Sequence, residues 1–188
     1  VIGGLTASAF AGEILRDFPV VDFVIRGDAE RPLLALAQTL VESGVKATDE
    51  DVILDLSEVP NLSYRRRGKV VENPRTYCAT PEDFAEFNFV DLDWLRREDS
   101  YYVHEYLVID MDVAHRASEG EDVSEYRGRW LTTARGCDFE CSYCGGARSA
   151  HEAIAGRRGI VPVPVETIVE QIKHLMEHDV IQVCFSYD

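Results

Sequence analysis

Three cysteines, Cys137, Cys141 and Cys144, crowd into one short stretch with the spacing Cys-x3-Cys-x2-Cys, among Gly136, Gly145 and Gly146. No other feature limits the fold as strongly, because thiolates that converge need a backbone free to bend, and glycine supplies that freedom. Trp130-Leu131-Thr132-Thr133-Ala134 reads as a short strand that runs straight into Arg135-Gly136-Cys137, so the loop stands at a strand end. Downstream, Ile168, Val169, Ile172, Leu175 and Met176 repeat with helical spacing, and Val180-Ile181-Gln182-Val183-Cys184-Phe185 reads as a second buried strand. Residues 129–188 are therefore expected to form a β-loop-α-β unit in which the cysteine loop follows the first strand.

The amino-terminal region has its own α/β pattern. Val1-Ile2-Gly3-Gly4 reads as a strand end entering a glycine turn, and Ala7, Phe10, Ala11, Ile14, Leu15 and Phe18 then follow one helical face. Pro19 stops that helix, and Val20, Val21, Phe23, Val24 and Ile25 form a nearly continuous apolar run, as expected of a strand covered on both faces of a parallel sheet. Gly27 closes the strand, Glu30 and Pro32 suit a first helical turn, Leu33, Leu36, Ala37 and Leu40 form the next stripe, and Gly44 ends it. Residues 1–44 are expected to be the last two β-α units of a doubly wound domain that begins upstream of Val1. Residues 45–128 read as a connector holding a hairpin, with Leu62-Ser63-Tyr64-Arg65 and Lys69-Val70-Val71-Glu72 flanking Arg67-Gly68.

Charge and cysteine usage narrow the function classes. With 19 Lys and Arg against 34 Asp and Glu, the formal charge of -15 repels phosphate backbones, so no nucleic-acid partner is expected. No apolar run approaches the roughly 20 residues a membrane span requires, and the amino end lacks a basic segment followed by an apolar core and a small-residue cleavage site, so secretion is not expected. Five cysteines, an odd number, then fit a reducing, cytoplasmic setting and metal or redox chemistry better than a disulfide framework.

The number of ligands decides what the cysteine loop can do. Structural zinc takes four, and so does an iron-sulfur cluster that only carries electrons, whereas three thiolates leave one iron open to a substrate or cofactor. Two other readings stay open: a zinc knuckle with His151 as fourth ligand, and a thiol-redox pair in Cys141-Ser142-Tyr143-Cys144 that leaves Cys137 unused. Cys78 and Cys184 read as bystanders, Cys184 as a small buried hydrophobe. His174 and His178 are placed opposite the apolar stripe as solvated residues near a helix C-terminus. Arg65-Arg66-Arg67 is expected at a hairpin tip, and Arg157-Arg158 in a solvated loop rather than on a cofactor carboxylate.

The cysteine spacing, with Tyr143 just before the last cysteine, resembles the signature of the radical S-adenosylmethionine (radical SAM) superfamily. The resemblance implies that Cys137, Cys141 and Cys144 hold a 4Fe-4S cluster whose fourth iron chelates S-adenosylmethionine, which is reductively cleaved to a 5'-deoxyadenosyl radical. It also implies that Tyr143 and Gly145 lie near the nucleoside, with Ser186 and Asp188 at the second strand end. Relatives often carry Gly-Gly-Glu at that strand end, and Ser186-Tyr187-Asp188 departs from it. Val1 to Gly4, the stretch Val21 to Glu30 and the hairpin together resemble the end of a cobalamin-binding domain and its connector, with Gly3 and Gly4 where the backbone meets the cofactor. The implied architecture is the end of a Rossmann-like cobalamin-binding domain over 1–44, a connector over 45–128, and the start of a TIM-type barrel over 129–188. The implied activity is radical chemistry on a small-molecule or peptide substrate, such as methyl transfer, with a reductant such as flavodoxin or ferredoxin as partner. A radical SAM enzyme without cobalamin is the nearest alternative. None of the five histidines stands in an Asp-x-His-x-x-Gly motif, so no cobalt ligand is assigned.

Overall fold

A computed structural model describes residues 1–44, 54–91, 111–123 and 127–187. They form a mixed α/β protein with two three-stranded sheets, divided between two compact units that interleave along the sequence. The first unit comprises Val1–Ala79 and Gly136–Ile160, and the second Thr80–Arg135 and Val161–Asp188.

In the first unit, α1 (Leu5–Ala9) and α2 (Ala11–Asp17) precede β1 (Phe23–Ile25), α3 (Glu30–Ser43), β2 (Leu62–Arg66) and β3 (Lys69–Glu72). The helix expected over 7–18 is broken at Phe10, whose backbone (φ -115, ψ 26) leaves the helical region. Ala7, Ala11 and Leu15 are buried as the spacing requires, whereas Phe10 and Phe18 lie on the exposed side. The expected parallel strand at the amino end is reduced to one parallel bridge, in which the Ile2 amide donates to the Phe23 carbonyl and the Ile25 amide to the Ile2 carbonyl, both at 3.0 Å. The principal partner of β1 is β2, antiparallel, with Val24 opposite Ser63, so the connector supplies the sheet's other two strands.

Successive strand side chains point to opposite faces, and β1 uses both. Val24 packs with Ala7, Ala11 and Leu15, while Ile25 packs with Leu36, Leu56, Val59, Leu62 and Tyr64. Fully buried side chains such as Ile25, Leu36 and Leu62 contribute roughly 1.5–3 kcal/mol each. The buried face of α3 runs through Pro32 and Leu36, with Leu40 partly covered; Leu33 and Ala37, expected on that stripe, are exposed. The hairpin stands where the sequence places it. Arg67 (φ 50) and Gly68 (φ 72) both take positive φ, as a two-residue turn matched to strand twist demands.

In the second unit, α4 (Pro81–Glu86), α5 (Met111–Ser118), β4 (Gly128–Arg135), β5 (Val161–Pro162), α7 (Val165–Glu177) and β6 (Gln182–Tyr187) are ordered along the chain, with α6 (Arg148–Ala155) of the first unit between β4 and β5. Strands β4 and β6 run parallel, Trp130 opposite Cys184 and Thr132 opposite Ser186, and β5 adds an antiparallel edge in the order β5-β4-β6. The expected strand, crossover helix and parallel strand are therefore present. Their core is Val90, Leu131, Leu175 and Val180, with Ile168, Ile172 and Val183 partly covered. Strand β6 is not buried throughout: Phe185 is 61% exposed, and β6 is an edge strand of the sheet among the described residues. Helix α4, absent from the sequence reading, starts with a reciprocal cap in which Thr80 and Asp83 each accept the other's backbone amide, with Pro81 following.

The inner face of α7 differs from the expected stripe. Val169 and Met176 are exposed, and Gln171 is buried with its amide nitrogen donating to the Phe87 carbonyl at 3.0 Å. His174 and His178 are half-buried rather than solvated, their rings edge to face with centroids 4.7 Å apart. No described helix is long and apolar enough to cross a membrane.

Candidate functional site

The cysteine segment belongs to the first unit, together with the turn at Gly3 and Gly4. Cys137 is half-buried and Cys141 and Cys144 are exposed, and none of the three is in a disulfide. Backbone bonds shape the loop locally: the Cys144 amide donates to the Cys141 carbonyl at 3.1 Å, closing a turn, and the Ala147 amide donates to the Cys144 carbonyl at 3.3 Å. The Phe139 amide donates to the Cys137 sulfur at 3.4 Å. That contact ties the start of the loop to its first cysteine.

Helix α6 follows the loop and is held at both ends. No side chain at its own N-cap, Ala147, bonds to its free amides. Glu140, from within the cysteine loop, does so instead, accepting the Ser149 amide at 2.9 Å. Hydrogen bonding to the Ser149 side chain and then to its backbone, with Arg148 nearby, holds the Glu140 carboxyl below its ordinary range. An anion at a helix N-terminus is also stabilised by the helix dipole. At the other end Gly156 (φ 73) terminates the helix, and Arg75 donates to the Ala153 carbonyl at 2.7 Å and also to the Ile154 carbonyl.

The segment is seated closely on the rest of the unit. A Cβ at Gly27 would lie 3.1 Å from the Ala155 Cα, and one at Gly146 3.4 Å from the Leu5 side chain. Arg157, expected in a solvated loop, is instead 2% exposed and paired with Asp28, itself 6% exposed. Its neighbour Arg158 does remain in solvent, paired with Glu152 at 2.9 Å. The sequence reading also missed Asn61, which is 1% exposed with φ 61. Its side-chain amide donates to the Tyr77 carbonyl at 2.8 Å and its side-chain oxygen accepts the Thr76 and Tyr77 amides at 3.1 Å. The one available signal was an asparagine in a turn, a residue type that tolerates positive φ.

The remaining candidates are placed as follows. Gly4 (φ 90) favours glycine for its backbone, and no described residue stands within 4 Å of where its Cβ would be; a Cβ at Gly3 would make only ordinary contact, 3.5 Å from the Ile25 carbonyl. The Gly4 carbonyl accepts from the Ser8 amide and hydroxyl. Tyr143 is 90% exposed, and Gly145 has open space where a side chain would stand. Ser186 belongs to the second unit, near the end of β6, where its carbonyl accepts from the Thr133 hydroxyl at 2.9 Å. Asp188 lies outside the described residues.

Among the described residues, no three His, Cys, Asp or Glu side chains are gathered around a point that could hold one metal ion. His151 is buried on α6, with Nε2 3.8 Å and the Cys144 sulfur 3.9 Å from the Cβ position of Gly146. An iron-sulfur cluster is wider than a single ion, so its thiolates need not stand as close together as those around zinc. A loop with three free cysteines, two of them exposed, fits such a group chemically.

No protein-family model matches the chain, and no curated protein matches it in sequence. Its fold is similar to that of the radical S-adenosylmethionine methyltransferase TsrM from Kitasatospora setae, in a structure with cobalamin and a 4Fe-4S cluster bound. The TM-score is 0.59 at 13% identity, over 99% of this chain and 30% of that one. A second TsrM structure, with tryptophan substrate and the SAM analogue aza-SAM, gives a TM-score of 0.55 at 14% identity, over 99% and 29%. The cobalamin-dependent S-adenosylmethionine radical enzyme OxsB, with aqua-cobalamin and S-adenosylmethionine bound, gives 0.52 at 19%, over 99% and 20%. At these identities the similarity is one of fold, and the chain spans less than a third of each protein's length.

Proposed function

We propose that the chain carries the cluster-binding segment, and the end of a cobalamin-binding domain, of a radical SAM enzyme. The observation that supports this reading is the three-cysteine loop itself, standing on a fold that over 99% of its length is similar to a protein with cobalamin and a 4Fe-4S cluster bound. Cys137, Cys141 and Cys144 would hold the cluster, which when bound supplies the electron that cleaves S-adenosylmethionine, as cobalamin supplies a transferable methyl group. The chain's own part is placement. The Phe139 amide bonds to the Cys137 sulfur, a backbone turn brings Cys141 and Cys144 close in the chain, and the Glu140 clasp joins the loop to α6. Gly4, with open space beyond its Cα, would allow a flat cofactor to approach the backbone. Tyr143, Gly145, Ser186 and Asp188 would contact S-adenosylmethionine, within a Rossmann-like end over 1–44, a connector over 45–128 and a barrel start over 129–188.

Anaerobic reconstitution with iron and sulfide tests the reading. About four irons per chain are expected, with loss of the cluster when Cys137, Cys141 and Cys144 are replaced by alanine. The reading fails if the chain retains one zinc, takes up no iron, and loses the zinc on His151→Ala. Titration with hydroxocobalamin separates the cobalamin-dependent form from a radical SAM enzyme that does without it.

A further inference from the structure

We propose that the buried Asp28–Arg157 ion pair is a positioning device for the cysteine loop, pinning Gly136, and with it Cys137, to the turn that follows β1. The pair's relevance to a cluster rests on the function proposed above; its action on the loop does not.

The side chains of Arg157 and Asp28 are 1% and 5% exposed. The guanidinium donates to the Asp28 carboxylate and to the Ala79 carbonyl, and the same carboxylate oxygen accepts the Ala79 amide at 2.7 Å. The aliphatic stem of Arg157 lies against Gly136, where an added Cβ would stand 2.8 Å from its Cδ and also collide with the Gly159 carbonyl oxygen. Gly136 has φ 102, which favours glycine independently. One side chain thus touches both arms of the segment, its entry before Cys137 and its exit at 157–159. The turn that carries Asp28 is fixed in its own right, because the Gly27 amide donates to the Ser8 hydroxyl at 2.9 Å and that hydroxyl donates to the Gly4 carbonyl at 2.7 Å. A continuous path of contacts therefore runs from Gly4 through Ser8, Gly27, Asp28 and Arg157 to Gly136.

Stability alone is a poor account of this pair. Two charges removed from water carry a large desolvation cost, and the Arg157 Nε is buried with no hydrogen-bond partner among the described residues. Replacing such a pair with apolar side chains is often neutral, whereas removing one partner strands the other charge. What a rigid, planar, doubly held guanidinium supplies at this point is a fixed distance between Asp28 and the loop.

The experiment is differential alkylation of the five cysteines of the metal-free chain with iodoacetamide under anaerobic conditions, read residue by residue by mass spectrometry. In Arg157→Met the Cys137 rate is expected to rise by about tenfold as the segment opens locally. Cys141 and Cys144, already exposed, and Cys184, in the other unit, should stay within about twofold. Asp28→Asn should act in the same direction, and Arg157→Lys, which keeps the charge and stem, should restore part of the protection. An unchanged Cys137 rate, or Cys137 and Cys184 accelerating together as in global unfolding, overturns the proposal. Should Arg157→Met not fold, Asp28→Asn and Arg157→Lys are read by the same criteria. Because no metal is present, failure of iron loading would overturn the proposed function without altering this result.

Discussion

Asn61 organises more backbone than any residue that the sequence pattern singles out. Its side chain serves the Asp28 and Tyr77 carbonyls and the Thr76 and Tyr77 amides, and its own amide donates to the Pro74 carbonyl at 3.1 Å. Replacing it with alanine leaves buried groups unpaired at a position with positive φ. Asn61→Ala is therefore expected to cost about 2–4 kcal/mol, read from urea denaturation. Asn73 plays a related part, donating to the Leu56 and Val59 carbonyls at 2.6 and 2.8 Å. Both asparagines hold irregular chain in place through side-chain hydrogen bonds, which have no periodicity to detect. Arg157 eluded the sequence reading for a similar reason: its partner, Asp28, lies 129 positions away, and two adjacent arginines look solvated until one of them finds a buried carboxylate.

Among the described elements, α6 has its first turn bonded by a side chain from the loop before it. Glu140 accepts the Ser149 amide, and its carboxyl is held low by hydrogen bonding to the Ser149 side chain and backbone and by Arg148. A carboxyl with a depressed folded value stabilises the clasp above its ordinary range, and the contribution is lost as pH falls through the lowered value. The Ser149 amide resonance is accordingly expected to titrate with a midpoint below that of an ordinary glutamate, and to lose this step in Glu140→Gln. Elements with strong periodicity or turn chemistry were legible in the sequence: the hairpin at Arg67-Gly68, β4, α7 and the parallel strand β6. Their exposed and buried faces were less so. Leu33 and Val169 carry apolar side chains into solvent, while Gln171 occupies the core side of α7. The Thr80-Pro81-Glu82-Asp83 start of α4 was written in the sequence as a capping pattern, but the helix is too short for a hydrophobic repeat to mark it. The cysteine spacing could be read directly; the seating of its loop on Asp28, Arg75 and Leu5 could not, since these contacts join segments far apart in the chain.

For the whole molecule, the order of the sequence is not the order of the compact units. The chain passes between them after Ala79, after Arg135 and after Ile160, and residues 136–160 complete the unit begun by residues 1–79. A fragment ending at Ala79 would leave Asp28 without Arg157 and the Gly27 turn without Ala155 beside it. Its thermal midpoint is expected to fall by about 10 °C or more relative to the complete chain, or its cooperative transition to vanish, as followed by circular dichroism. The turn from Cys141 to Cys144 bears on how the protein must be handled. Ends of such a turn lie within about 7 Å of each other, a span that a disulfide can bridge, and both thiols are open to solvent. Dissolved oxygen can therefore join them to one another, so the same turn that would serve the proposed cluster also leaves the metal-free chain open to disulfide formation in air.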